Sequence, residues 1–267
     1  MSTVRTRHPA AKPRWLPDDV LPGRTALICL PPSGAGASYY RPWRQFVPDW
    51  LAVLPVLLPG RESRISEEAV HTMDAVVERA LPGIEAVAAS GRYALFGHSM
   101  GALIAYELAR ELTARGRPPL RLLVSGCIAP PRGTRLRKLS DQPVEEIVAT
   151  LAALGGTPPE ALDHPELIEL IEPALRGDLG IVESYSFRPG PLLTCPVTAL
   201  EGTADPLTTS EEMTAWGEHT TGAFQLRSHP GSHAFPQQRQ ADVVHDIVLD
   251  LTDAMHTVKD TGPKDRT

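Results

Sequence analysis

An α/β fold, a mostly parallel sheet with helices on both faces, is predicted by three observations. Short apolar runs of strand length alternate with segments of helical apolar spacing along most of the chain. The sequence Gly97-His98-Ser99-Met100-Gly101 stands where one such run meets one such helix. A stretch without strand character, residues 131–190, interrupts the alternation once. At 267 residues, 42% of them hydrophobic, the chain fits one large domain or one domain with an insertion.

The elements follow in order. Residues 25–30 form the first predicted strand, ended by Pro31-Pro32-Ser33-Gly34-Ala35-Gly36. Residues 51–58 form the second, ended by Pro59-Gly60. Residues 72–89 have helical periodicity, with Pro82-Gly83 expected to kink or split the helix. A strand over 92–96 and a helix over 102–112 flank the Ser99 turn, and further strands are predicted at 120–125, 196–201 and 224–227. Residues 241–255 read as the last helix. Inside the insertion, helical pieces at 143–154, 166–176 and 179–185 are separated by glycines and prolines. The insertion leaves the sheet after the 120–125 strand, at the carboxyl end where ligands of such sheets bind, and is read as a lid. The expected organisation is a flexible tail over 1–20, one domain over 21–256 with its helical lid at 131–190, and a polar tail over 257–267.

Composition narrows the function classes. A formal net charge of -6 gives no electrostatic reason to expect nucleic acid or an anionic membrane as partner. No apolar run approaches the roughly 20 residues of a membrane span. The basic first 15 residues lack the apolar core of a secretory signal. Cys29, Cys127 and Cys195 all lie in apolar strand-like runs, which predicts buried free thiols and a cytoplasmic location. None of them sits at a turn beside a histidine, as a cysteine nucleophile would.

The chemistry centres on Ser99. Strand, sharp turn and helix around G-x-S-x-G make a nucleophile elbow, which forces the serine into a strained backbone conformation and needs small residues two before and two after it. Gly97 and Gly101 meet that need. A serine hydroxyl needs a base, and a carboxylate to orient that base. In α/β-hydrolases the chain order is serine, acid, histidine. Asp205, in the turn Gly202-Thr203-Ala204-Asp205-Pro206 after a late strand, fits the acid, with Glu201 and Asp178 as weaker alternatives. His233, between the last strand and the last helix, fits the base, with His229 as its competitor. His98 is read as packing or as support beside the nucleophile. The oxyanion hole needs two N–H donors. Met100 is expected to supply one. The loop after the first strand is expected to supply the other, from Ser33 first and Gly34 next, since Pro32 has no N–H.

With these residues in hand, the chain resembles the type II thioesterases of polyketide and nonribosomal peptide synthesis. The resemblance rests on Tyr39-Tyr40-Arg41-Pro42-Trp43, Leu58-Pro59-Gly60-Arg61-Glu62, Phe96-Gly97-His98-Ser99-Met100-Gly101-Ala102, Leu154-Gly155-Gly156-Thr157-Pro158 and the His233 loop. It implies an α/β-hydrolase fold with a helical lid and hydrolysis of acyl thioesters. The substrate would sit on the phosphopantetheine arm of an acyl or peptidyl carrier protein, and the role would be to edit stalled or misprimed acyl groups. It also implies Ser99 as nucleophile, Asp205 as acid and His233 as base, with no metal or cofactor. Two departures stand out. Pro31-Pro32-Ser33-Gly34-Ala35 replaces the family's P-H-A-G-G, and Gly231-Ser232-His233 replaces G-G-H. Apolar lid residues Leu151, Leu154, Leu167, Ile171, Leu175 and Ile181 are expected either to line an acyl chamber or to pack the lid itself. Arg132, Arg135, Arg137 and Lys138 are a candidate patch for an acidic carrier protein. Rival readings on the same fold are a generic carboxylesterase or lipase-like hydrolase and an acyltransferase or cyclising thioesterase. A catalytically silent acyl-carrier-binding protein is the rival of another class.

Overall fold

The computed structural model describes residues 15–16, 23–155 and 164–260. The expected tails at 1–14, 17–20 and 261–267, and residues 156–158 of the Leu154 motif, lie outside the described residues. Six strands form one sheet: β1 (Thr25–Leu30), β2 (Leu51–Pro55), β3 (Tyr93–His98), β4 (Leu122–Ser125), β5 (Val197–Gly202) and β6 (Phe224–His229). Their order is β2-β1-β3-β4-β5-β6, and every pairing is parallel. From β1 the chain steps outward to β2; from β3 it proceeds the other way. The switch point therefore lies between β1 and β3, and the loop after β1 faces the Ser99 turn across it.

Seven helices accompany the strands among the described residues: α1 (Met73–Ser90), α2 (Met100–Ala114), α3 (Val144–Ala153), α4 (Pro165–Glu183), α5 (Ser210–Thr214), α6 (Phe235–Gln238) and α7 (Gln240–Asp260). Side chains alternate across the strands, so each face collects its own core. Ala26, Ile28 and Leu30 pack with α1 and α2, while Leu27 and Cys29 pack with α7 and with Tyr40 and Trp43. The Tyr40 hydroxyl donates to the Leu30 carbonyl at 3.0 Å, which ties the end of β1 to the Tyr39–Trp43 motif. Helices α3 and α4 bury a third, separate cluster of Leu139, Ile147, Val148, Leu151, Ile168, Leu175 and Leu179.

Several boundaries differ from expectation. β2 ends at Pro55: Val56 still donates to the Cys29 carbonyl of β1, but Leu57 turns away to the Trp15 carbonyl, at 2.9 Å each. That bond and its buried ring draw Trp15 out of the expected tail into the core. α1 runs unbroken through Pro82: Val76, Ala80, Leu81 and Ile84 are buried along its length and hold it over the missing hydrogen bond. The two helical pieces expected at 166–176 and 179–185 are the single helix α4. Its Gly177 and Gly180 are contact points, since a Cβ there would stand 2.7 Å from the Val70 carbonyl oxygen and 2.9 Å from that of His71. α7 continues to Asp260, so 257–260 is helix and not tail. No helix among the described residues is long and apolar enough to cross a membrane.

Candidate active site

Ser99 joins β3 to α2 at φ 53° and ψ -120°, a left-handed conformation that costs a non-glycine residue energy. The surroundings hold it there. Its N–H donates to the Ser125 carbonyl at 2.8 Å, and its side chain makes no capping bond to the helix that it precedes. The flanking glycines are steric requirements. A Cβ on Gly97 would stand 2.0 Å from the Gly101 carbonyl oxygen, and one on Gly101 would stand 2.1 Å from that of Leu30. The Ser99 hydroxyl is left to a pocket that Ser99 lines together with Ser33, His98, Met100 and His233.

His233 and Asp205 arrive from neighbouring turns. The turns after β5 and β6 are stitched by Thr203 N–H to the His229 carbonyl and Ala204 N–H to the Gly231 carbonyl, both 2.9 Å. Between these turns the His233 Nδ1 meets Asp205 Oδ2 at 2.8 Å, with both residues buried. The other carboxylate oxygen of Asp205 accepts the Leu207 N–H at 2.9 Å, which fixes the plane of the carboxylate.

The alternatives have other partners. His229 stacks on Phe235, ring centroids 5.5 Å apart, with its Nε2 3.5 Å from Asp246. Glu201 accepts from the hydroxyls of Ser210 and Ser228. Asp178 is fully buried on α4 and takes both guanidinium nitrogens of Arg61, at 2.6 and 2.8 Å. His98 is closer to the site than its position beside the nucleophile suggested. Its Nδ1 lies 3.0 Å from the Ser125 hydroxyl, and its ring is 4.7 Å from that of His233. Burial, and then the neighbouring His233, push its pKa well below the usual histidine value, so it is neutral. Gly126, at φ 55°, makes room for the pair: a Cβ there would meet His98 Cε1 at 2.6 Å and His233 Cε1 at 3.2 Å. Cys127 lines the pocket, but burial raises its thiol to about 12. Cys29 and Cys195 are also free, buried and shifted upward.

The loop after β1 is a tight turn, closed by Ala35 N–H to the Pro32 carbonyl at 3.1 Å, with Gly34 at φ 79°. Gly34's N–H is spent on Asp178 Oδ2 at 2.7 Å, so Gly34 is not a free donor to the pocket. Ser33 touches Met100, its hydroxyl 3.7 Å from the thioether sulfur, and both residues line the pocket. Met100 opens α2, where first-turn N–H groups lack helical acceptors.

The pocket, open to solvent, sorts the apolar lid residues. Leu151 and Leu154 line it, as do Leu136 and Val182. Leu175 and Ile171 pack within the α3–α4 core, Ile181 joins the main core, and Leu167 is exposed. The basic cluster is not a free positive patch: Arg132, Arg135, Arg137 and Lys138 pair with Glu218, Glu212, Glu146 and Asp141. No cluster of metal-ligating side chains occurs among the described residues.

A model of the thioesterase domain family matches residues 25–251. The chain is 36% identical to the thioesterase PikA5 of Streptomyces venezuelae, over 83% of this chain and 79% of that protein. It is 33% identical to the gramicidin S biosynthesis protein GrsT of Aneurinibacillus migulanus, over 82% and 85% of the two chains. Among solved structures it is similar to BorB, the type II thioesterase from the borrelidin biosynthetic cluster, at a TM-score of 0.82 and 36% identity. That match covers 91% of this chain and all of BorB, and the shared fold is that of the α/β-hydrolases.

Proposed function

We propose that this chain, which belongs to the thioesterase domain family, edits assembly lines of polyketide or nonribosomal peptide synthesis by hydrolysing acyl groups from carrier proteins. One observation carries the chemistry: the strained Ser99 and the Asp205-bonded His233 line one pocket. In this reading Ser99 is the nucleophile, His233 the base and Asp205 the acid. His233 Nε2 takes the Ser99 proton as the serine oxygen attacks the thioester carbonyl carbon. The N–H groups of Met100 and Ser33 stabilise the oxyanion. The carbon–sulfur bond breaks, and His233 returns the proton to the departing pantetheine thiolate. A water molecule then gives its proton to His233 and attacks the acyl-serine. The acid product leaves, and Ser99 recovers its proton. No step needs a metal or a cofactor.

The partner is an acyl or peptidyl carrier protein, by analogy with relatives that serve such pathways. Helices α3 and α4 form the lid, and Leu151 and Leu154 contact the acyl chain. Incubation with an acyl-loaded carrier protein, followed by intact mass spectrometry, tests the reading. Wild type removes the acyl group, and Ser99→Ala does not. Cleavage of simple esters with the carrier left acylated would favour a generic esterase instead.

A further inference from the structure

The strongest unexplained feature is a buried ion pair that no step above uses. Arg61 follows β2, and Asp178 lies on α4, 117 residues away. Neither touches a reacting atom, yet together they grip the loop after β1. Asp178 Oδ2 accepts the Gly34 N–H, and Arg61 Nη1 donates both to that oxygen and to the Ala35 carbonyl at 2.9 Å. The next residue, Glu62, accepts from the N–H and hydroxyl of Ser38, at 2.8 and 2.6 Å. The same carboxylate lies against Gly36, where a Cβ would stand 2.3 Å from it. The carboxylate side of the pair is equally fixed, because Gly177 and Gly180 seat α4 on the backbone of Val70 and His71.

A buried charge pair is weak evidence for stability, because desolvation offsets its attraction. Its placement here suggests another use. The loop has two N–H groups within one turn of each other, on Ser33 and Gly34. Asp178 consumes one and so holds the Ser33–Gly34 peptide, while the Pro32–Ser33 peptide, which carries the other, is held on its carbonyl side by the Ala35 N–H at 3.1 Å, next to the Ala35 carbonyl that Arg61 grips.

We infer that Asp178, held by Arg61, is a positioning residue for the oxyanion hole: by engaging Gly34 it aims the Ser33 N–H at the developing oxyanion. This rests on the hydrolase reading of the Ser99 pocket. A residue that acts on the transition state and not on substrate binding lowers kcat and leaves KM in place.

The test uses the whole protein, an acyl N-acetylcysteamine thioester as small substrate, and an alkyl trifluoromethyl ketone as oxyanion mimic. The ketone carbon bonds the Ser99 oxygen, its proton passes to His233, and the resulting alkoxide occupies the oxyanion hole. For Asp178→Ala, kcat falls about 100-fold, KM stays within about threefold, and the ketone inhibition constant rises by a factor similar to the kcat loss. Asp178→Asn, whose amide oxygen still accepts from Gly34, loses less. Should Asp178→Ala fail to fold with Arg61 left uncompensated, Arg61→Met with Asp178→Leu removes both charges and is expected to show the same paired loss. A folded variant with wild-type kcat would overturn the inference, as would a kcat loss with undiminished ketone affinity. A wild type that neither cleaves the thioester nor binds the ketone through Ser99 would overturn the reading of the pocket itself, and the inference with it.

Discussion

Replacing Asp205 by asparagine changes one atom's identity and, in this site, has a definite stereochemical outcome. One carboxylate oxygen of Asp205 accepts the Leu207 N–H at 2.9 Å, and the other faces His233 Nδ1 at 2.8 Å. In Asp205→Asn the amide oxygen must stay on the Leu207 N–H, because an NH2 group there would oppose a donor with a donor. The amide NH2 then faces His233 and requires Nδ1 to be an acceptor, which moves the ring proton to Nε2. That is the nitrogen that has to accept the Ser99 proton. The asparagine also cannot stabilise the imidazolium that forms. Wrong-tautomer variants of such triads lose about 10⁴-fold in kcat, equivalent to about 5 kcal/mol of transition-state stabilisation. The assay is the rate of acyl release from a carrier protein at pH 7.5, with thermal melting as the control for folding. The melting temperature is expected to hold, since the side-chain volume and the Leu207 bond are kept. A folded Asp205→Asn enzyme within about tenfold of wild type would refute the assignment of Asp205 as the orienting acid.

Three further predictions concern the frame around the site. Gly97→Ala places a Cβ 2.0 Å from backbone oxygen with no flexible side chain to yield, so it should destabilise by at least about 3 kcal/mol in urea unfolding. A soluble, normally stable Gly97→Ala protein would mean that the turn is laxer than drawn. Gly126→Ala crowds His98 and His233 at a left-handed position; kcat should drop about 100-fold through displacement of the base, a larger effect than that on melting. Finally, burial lowers the pKa values of His98, His219 and His229 in the folded protein. Unfolding therefore takes up protons below the ordinary histidine value, so their contribution is complete above about pH 6.5 and is lost as pH falls. Unfolding free energies measured between pH 7.5 and 5.5 should decline, by at most about 1.4 kcal/mol per pH unit for each histidine; a flat profile would contradict the burial of these rings as neutral groups.

What was legible in the chain follows from where each signal resides. The β1 run is buried on both faces, so its apolar residues are continuous and its ends are set by proline and a turn. Asp205 and His233 were readable as a pair because both sit in turns at carboxyl ends of strands, where a parallel sheet must gather its ligands. Helix α4 misled because its glycines look like breakers; they are small because backbone lies against them, and that reason is tertiary. The Arg61–Asp178 bond joins residues 117 apart, with no local pattern at either end. The only traces in the chain are an arginine inside a family motif and an aspartate that reads as a weaker alternative acid. His98 shows the same limit: its neighbour in the chain is Ser99, but its neighbours in space are Ser125 and His233.

The seating of α4 bears on how this enzyme could be rebuilt. Just past the end of helix α3 stands Gly155, where a Cβ would meet Ala234 beside the base, while Leu151 and Leu154 line the pocket. The second half of α4 belongs to the body: it is keyed into the backbone at Val70 and His71 and carries the carboxylate that grips Gly34. Chimaeras that trade the insertion between relatives to alter chain-length preference should therefore be spliced within α4, ahead of Ala174. A graft cut at the ends of the insertion would import a foreign key for a lock that stays behind, and would lose turnover along with the old preference.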